Sequence, residues 1–193
     1  MNLIENKNGE LNVFQKAAAM EKNRSQNQYR HRVENIVLDK KNQKVLIEKH
    51  DNKKNILFFP GGGIDHGEST QQAATREVAE ETGKKVKNAK RLNKSQVIMP
   101  WNNQEKASIR KEKWTRLEDH PKGNETYFVI SEIIKSQKES KLKGKDGDIA
   151  STKWMSYKDA LEYLQKQVSK KTAFFKIDKA RLRAFKKAIK GEK

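Results

Sequence analysis

The chain has 193 residues, with 43 Lys and Arg against 25 Asp and Glu, a net charge of +18, an apolar share of 34% and no cysteine. That length suits one domain with polar extensions, and the lack of cysteine excludes disulfides and cysteine-ligated zinc. No apolar run approaches the roughly 18 residues of a membrane span, and the opening MNLIENKNGELNVFQ lacks a signal peptide's apolar centre, so a cytoplasmic protein is expected.

In chain order, residues 1–31 read as a polar extension in which Leu11, Phe14, Ala17 and Ala18 are spaced for a short helix. VENIVLD (33–39) and KVLIEKH (44–50) are β-rich runs joined by the turn-like KKNQ, which predicts a hairpin. ILFF (56–59) adds a third strand that Pro60 ends, because proline cannot donate a ladder hydrogen bond. Ser69 to Thr82 favours helix, with Gly83 as its stop. The basic run KKVKNAKRLNK (84–94) follows, then a strand at SQVIM (95–99), a long polar connection and a strand at TYFVISEII (126–134). KWMSYKDALEYL (153–164) is a strand end entering a helix, with Ser156 and Asp159 at capping-box spacing.

The last element, IDKARLRAFKKAIKGEK, has Asp178 as a helix N-cap, an apolar stripe of Leu182, Phe185 and Ile189, and Gly191 as its stop. Its other face carries Lys179, Arg181, Arg183, Lys186, Lys187 and Lys190, a candidate nucleic-acid contact. An ordinary amphipathic helix with solvated charges has the same pattern. Lysines are spread along almost the whole chain, so the charge fits a polyanionic partner and a merely solvated surface alike. The order β-β-β-α-β-β-β-α predicts an α+β fold, an α/β/α sandwich with a mixed sheet. Residues 1–31 would be an extension, 32–170 the domain and 171–193 a basic C-terminal helix.

Against this lysine-rich background, FFPGGGIDHGESTQQAATREVAEETG (58–83) stands out. Glu77, Glu80 and Glu81 are spaced three and four apart, so their carboxylates share one side of a helix. Each like-charge pair costs a few tenths of a kcal/mol, and the helix C-terminus disfavours negative charge further. A hard divalent cation with oxygen ligands offsets those penalties. Arg76 supplies a fixed positive fork, with Glu68 as a partner. Gly61, Gly62 and Gly63 let the backbone pass close to another group, such as a phosphate.

Together, Gly62, Glu68, Arg76-Glu77-Val78, Glu80-Glu81 and Gly83 resemble the Nudix box, G-x5-E-x7-R-E-U-x-E-E-x-G-U, at eight of its nine defined positions. Lys84 stands where an aliphatic residue is expected, and Val86 is the candidate to take over its packing. The resemblance implies a hydrolase of a phosphoanhydride bond in a nucleoside diphosphate linked to a group X. Glu77, Glu80 and Glu81 would hold Mg²⁺ or Mn²⁺, Arg76 and Glu68 would orient them, and Gly61–Gly63 would face the phosphates. The general base varies in this family; Glu80 and Glu81 within the box, and Glu118, Glu125, Asp146 and Asp148 outside it, are candidates. His66 reads as an exposed loop residue. Nudix domains often form homodimers.

The group X is less legible. SQVIMPW (95–101) partly resembles the pattern of NADH-cleaving members, and Pro100 sits where ADP-ribose pyrophosphatases often have a proline. Trp101 and Trp114 are candidates for stacking on a base. The C-terminal helix, 84–94 and 110–116 would make a basic track for an RNA 5′ end, the mark of an RNA 5′-end pyrophosphohydrolase. A small nucleotide such as a nucleoside triphosphate asks less of scattered lysines and ranks slightly ahead. A non-catalytic nucleotide- or RNA-binding module is disfavoured by the intact glutamates.

Overall fold

The computed structural model describes residues 29–50, 57–93, 95–100, 122–134, 149–169 and 175–191. Among them are strands β1 (Tyr29–Asp39), β2 (Lys44–His50), β3 (Leu57–Phe58), β4 (Val86–Arg91), β5 (Val97–Pro100), β6 (Gly123–Ile133) and β7 (Ile149–Ser156). The helices are α1 (Thr70–Thr82), α2 (Tyr157–Ser169) and α3 (Phe175–Lys190). One sheet runs β3-β2-β1-β6-β4, with β5 added on β6 and β7 on β2. β1 and β6 pair in parallel and the other pairs are antiparallel, so the sheet is mixed, as the element order predicts.

Period-two alternation along the strands builds a three-layer sandwich. From β1, Val33 and Val37 pack with Ala73, Ala74 and Val78 of α1, while Ile36 and Leu38 enter the larger core under α2 and α3. β2 divides likewise, with Val45 and Ile47 toward α2 and α3 and Leu46 toward α1. Asn35 faces α1 among apolar neighbours and is fully buried; its Nδ2 donates to the Ala74 carbonyl at 3.1 Å and its Oδ1 accepts from Ser131 Oγ at 2.8 Å. Replacing Asn35 by Ala should cost about 2–3 kcal/mol, since it opens a cavity and strips a buried hydroxyl of its acceptor. Urea unfolding measures this, and a loss below about 0.5 kcal/mol would show that the network contributes little.

Local signals set the helix ends. Ser69 and Gln72 form a reciprocal capping box at the start of α1, and Gly83 closes it in the left-handed region at φ 66°. Val86 is buried with Val37, Leu46 and Val78, so it fills the place beside α1 that Lys84 leaves open.

Two details differ from the sequence reading. The basic run 84–94 contains β4, whose buried Val86 and half-buried Ala89 are hidden among lysines that face solvent. α3 begins at Phe175, so Asp178 lies within its first turn rather than capping it. The buried face of α3 is also wider than the predicted stripe, with Ile177, Ala180, Ala184, Phe185 and Ala188 in the main core. Alanines at this face let the helix approach the sheet closely, and Phe185 fills the space against Phe59 and Tyr157.

Candidate active site

The glycine loop is laid along the stretch of β1 that β2 leaves uncovered. Val33 N donates to the Gly62 carbonyl at 2.9 Å, Asn35 N to the Pro60 carbonyl at 2.7 Å, and Ile64 N to the His31 carbonyl at 3.1 Å. This pairing leaves Gly61 N to turn toward α1, where it donates to Glu81 Oε2 at 2.8 Å. Gly62 lies directly under the Glu77 carboxylate, which occupies the space a Cβ would need.

Arg76 ties the loop to the helix. Its Nε and Nη2 grip both oxygens of Glu68 at 3.0 and 2.9 Å, and Nη2 also donates to the Gly63 carbonyl at 2.9 Å. Nη1 reaches Glu77 Oε1 at 2.9 Å and Glu80 Oε2 at 3.2 Å. The hydrogen bonds to Glu68, with Glu77 adding its charge, raise the Arg76 pKa above its already high ordinary value. One guanidinium thus holds the rotamers of three carboxylates.

Glu77 is buried and Glu80 exposed, with Glu81 between them. Burial raises the Glu77 pKa, and the neighbouring Glu80 charge adds to this against the pull of Arg76 and Arg32. Glu81 meets Glu48 of β2, a fully buried carboxyl on the face of β2 that Leu46 shares. Burial, then the Glu81 charge, pushes Glu48 far above the carboxylate range. Glu81 is raised as well, by burial first and then Glu77, against the Glu48 hydrogen bond, the Gly61 amide and Arg32. Two carboxyl groups can hydrogen-bond to each other only while one keeps a proton, so this pair shares one.

The donor set suits a hard divalent ion. Glu48, Glu77, Glu80 and Glu81 offer oxygen alone, and at least two are crowded beyond what the nearby cations neutralise. Among the described residues no three such groups are already gathered as a metal cage. Glu77 and Glu80 are turned to Arg76, and Glu81 to Gly61 and Glu48.

Residues 28–175 match the family model of the NUDIX domain. The chain belongs to the Nudix family. The RNA pyrophosphohydrolase of Pelagibacter ubique (strain HTCC1062) is 28% identical over 122 residues, covering 62% of this chain and 72% of that protein. Nucleoside diphosphate-linked moiety X motif 6 of Xenopus laevis is 50% identical over 52 residues, covering 26% of this chain and 24% of that protein. Among solved structures, the E. coli dihydroneopterin triphosphate pyrophosphohydrolase aligns with a TM-score of 0.57 at 14% identity, covering 84% of this chain and 98% of that one. At that identity the likeness is one of fold.

This Nudix chain is a hydrolase acting on phosphoanhydride bonds, in a family that generally uses divalent metal ions. No helix among its described residues is long and apolar enough to cross a membrane. Outside the box, Glu125 on β6 pairs with His31 at 3.3 Å rather than with the box carboxylates. Glu118, Asp146, Asp148, Trp101, Trp114 and residues 110–116 lie outside the described residues. His66 is exposed in the loop.

The cations of α3 divide. Lys179, Arg183 and Lys186 are exposed, and Lys187 is half-buried with Nζ 3.3 Å from the Asn93 carbonyl. Arg181 is not available to a nucleic acid: it is 5% exposed and bound to Glu34 and Asp178. It sits at helical spacing between Ile177 and Ala184, inside the apolar face, and that spacing is the signal a sequence carries. Glu48, which meets Glu81, and Arg32 and Glu34 on β1 are further charged residues near the box that the sequence does not single out. Alternation along β2 places Glu48 on the α1 face, which is the available clue.

Proposed function

We propose that this chain is a Mg²⁺-dependent pyrophosphohydrolase of nucleoside 5′-triphosphates and related small nucleotides. The observation that carries this reading is the crowding of Glu48, Glu77 and Glu81 under the glycine loop, with the pKa values of all three raised by burial. In this reading Glu77, Glu80 and Glu81 hold the cation, with Glu48 behind Glu81. When bound, the cation would acidify a water and neutralise charge on the bridging oxygens. Arg76, anchored on Glu68, keeps Glu77 and Glu80 turned to the same side of the loop. The Gly61 amide holds Glu81 in place and ties the loop to the helix there. Gly61–Gly63 present a backbone that a phosphate can approach closely.

A second reading, hydrolysis at an RNA 5′ end, is favoured by one specific feature. Lys176, Lys179, Arg183, Lys186 and Lys190 line the exposed face of α3, and the helix's one acidic residue, Asp178, is buried. The Pelagibacter relative, an RNA pyrophosphohydrolase, supports it too. Both readings share the 5′-triphosphate as reacting group. Incubating NTPs, dNTPs and a 5′-triphosphorylated RNA together with Mg²⁺ separates them. Consumption of mononucleotides, abolished by EDTA, is expected; consumption of RNA alone would overturn the first reading. If RNA is the substrate, Arg183→Glu with Lys186→Glu should raise its KM roughly tenfold or more at low salt and leave NTP kinetics unchanged.

A further inference from the structure

Arg32 and Glu34 project from the same face of β1, two residues apart. Glu34 is the natural partner for Arg32, yet both its oxygens are taken. Arg181 Nε and Nη2 approach Glu34 Oε2 and Oε1 at 2.8 and 2.6 Å, a fork-to-fork pair joining α3 to β1. Asp178 holds Arg181 Nη1 at 3.0 Å, and the guanidinium stacks over Phe58 with its carbon 4.8 Å from the ring centre. Burial opposes the Arg181 charge, but Glu34 and Asp178 more than offset it and raise its pKa. Arg181 is thus fully committed, and so is Glu34.

Arg32 is left over. Its backbone bridges Gly63, the neighbour of the glycine under Glu77. Its charge is felt by Glu77 and Glu81, although no side-chain hydrogen bond or ion pair joins it to a described residue. The guanidinium is half-buried, and among the described residues no acceptor takes its donors, so its fork is open to an incoming ligand. A phosphate oxygen pair matches its fork.

We propose that Arg32 is a substrate-binding residue that grips a phosphate of the nucleotide beside the carboxylate cluster, and that Arg181 is a positioning residue that keeps Arg32 available by occupying Glu34. The proposal rests on the pyrophosphohydrolase reading and names one of its phosphate contacts. It also explains why α3 is docked through an arginine, since the helix holds a counter-charge that would otherwise capture Arg32.

The test is titration calorimetry with methylenediphosphonate and Mg²⁺, a probe that has no base and cannot be hydrolysed at its bridge. Arg32→Met should weaken binding roughly 10- to 100-fold, the range expected for a charged hydrogen-bonding contact. Arg32→Lys should fall between it and wild type, since it keeps charge but not the fork. Arg181→Met should weaken binding by roughly tenfold because Glu34 then draws Arg32 away. The double variant Glu34→Gln/Arg181→Met, which removes the carboxylate that would compete for Arg32, should return to within about twofold of wild type. A merely structural role for Arg181 does not produce that rescue. Unchanged binding in Arg32→Met, or a double variant as weak as Arg181→Met, overturns the proposal. Arg32-dependent binding by a wild-type protein that hydrolyses neither free nor RNA-borne triphosphates would sink the substrate reading and leave the Arg32 assignment standing.

Discussion

Glu81→Gln should lower kcat/KM by a factor on the order of 10³ or more and, in the same protein without metal, raise the melting temperature at pH 8. The two signs have one cause. Glu81 is partly withdrawn from water and crowded by Glu77, and these outweigh the hydrogen bonds from Glu48 and the Gly61 amide, so its charged form is disfavoured in the fold. Its folded pKa lies above the unfolded value. The stability it contributes is therefore complete below the ordinary carboxylate pKa and is lost as pH rises through the higher folded value. Gln keeps an oxygen for the Gly61 amide and offers Glu48 a donor, but it cannot ionise. It escapes the loss and cannot neutralise a cation.

Thermal unfolding in EDTA across pH 5 to 8 should show the wild type falling and the variant falling less, the gap widening to about 1 kcal/mol. Adding Mg²⁺ should then stabilise wild type and not Glu81→Gln, because only a protein that binds the ion gains from mass action. A variant less stable than wild type at pH 8 in EDTA, or one that retains turnover, would remove Glu81 from the proposed cation site.

How much of this is legible in the sequence follows from the range over which each contact acts. The box carboxylates are neighbours on one helix, and a spacing of three or four residues brings them together in any helical context. Ser69 and Gly83 bound that helix by equally local rules. The mixed sheet can be inferred because its long strands carry their own alternation. By contrast, Glu34 meets Arg181 across 147 positions of chain, and no local pattern announces a pairing at that distance. Arg181 passes for one more cation on a basic helix when charge is weighed before burial. Its place between Ile177 and Ala184 assigns it to the core face, and a buried arginine requires an acid. β4 is legible only at Val86 for a related reason: an edge strand buries one side, so lysines at its exposed positions mask its β character. Glu48 lies between these cases, since its face can be read from β2 alone but its partner on α1 cannot.

The glycine loop separates stability from chemistry within two adjacent positions. A Cβ at Gly61 would run into the Val33 carbonyl and the Glu34 Cα, both backbone atoms of a central strand. Neither can yield without breaking the Val33–Gly62 and Asn35–Pro60 hydrogen bonds, so Gly61→Ala should cost about 3 kcal/mol, a fall in melting temperature of roughly 6–12 °C. At Gly62 the obstacle is the Glu77 carboxylate, the far end of a side chain. That end can swing away, but only by leaving Arg76 Nη1, and it carries an oxygen of the proposed cation site. Gly62→Ala should therefore melt within about 3 °C of wild type yet lose activity by a factor on the order of 10², the scale of an ångström-sized misplacement at a reacting centre. The contrast is what identifies the site. If both alanines act through stability alone, the loop is only a turn. If Gly62→Ala keeps full activity, Glu77 does not work from the position in which it lies against Gly62.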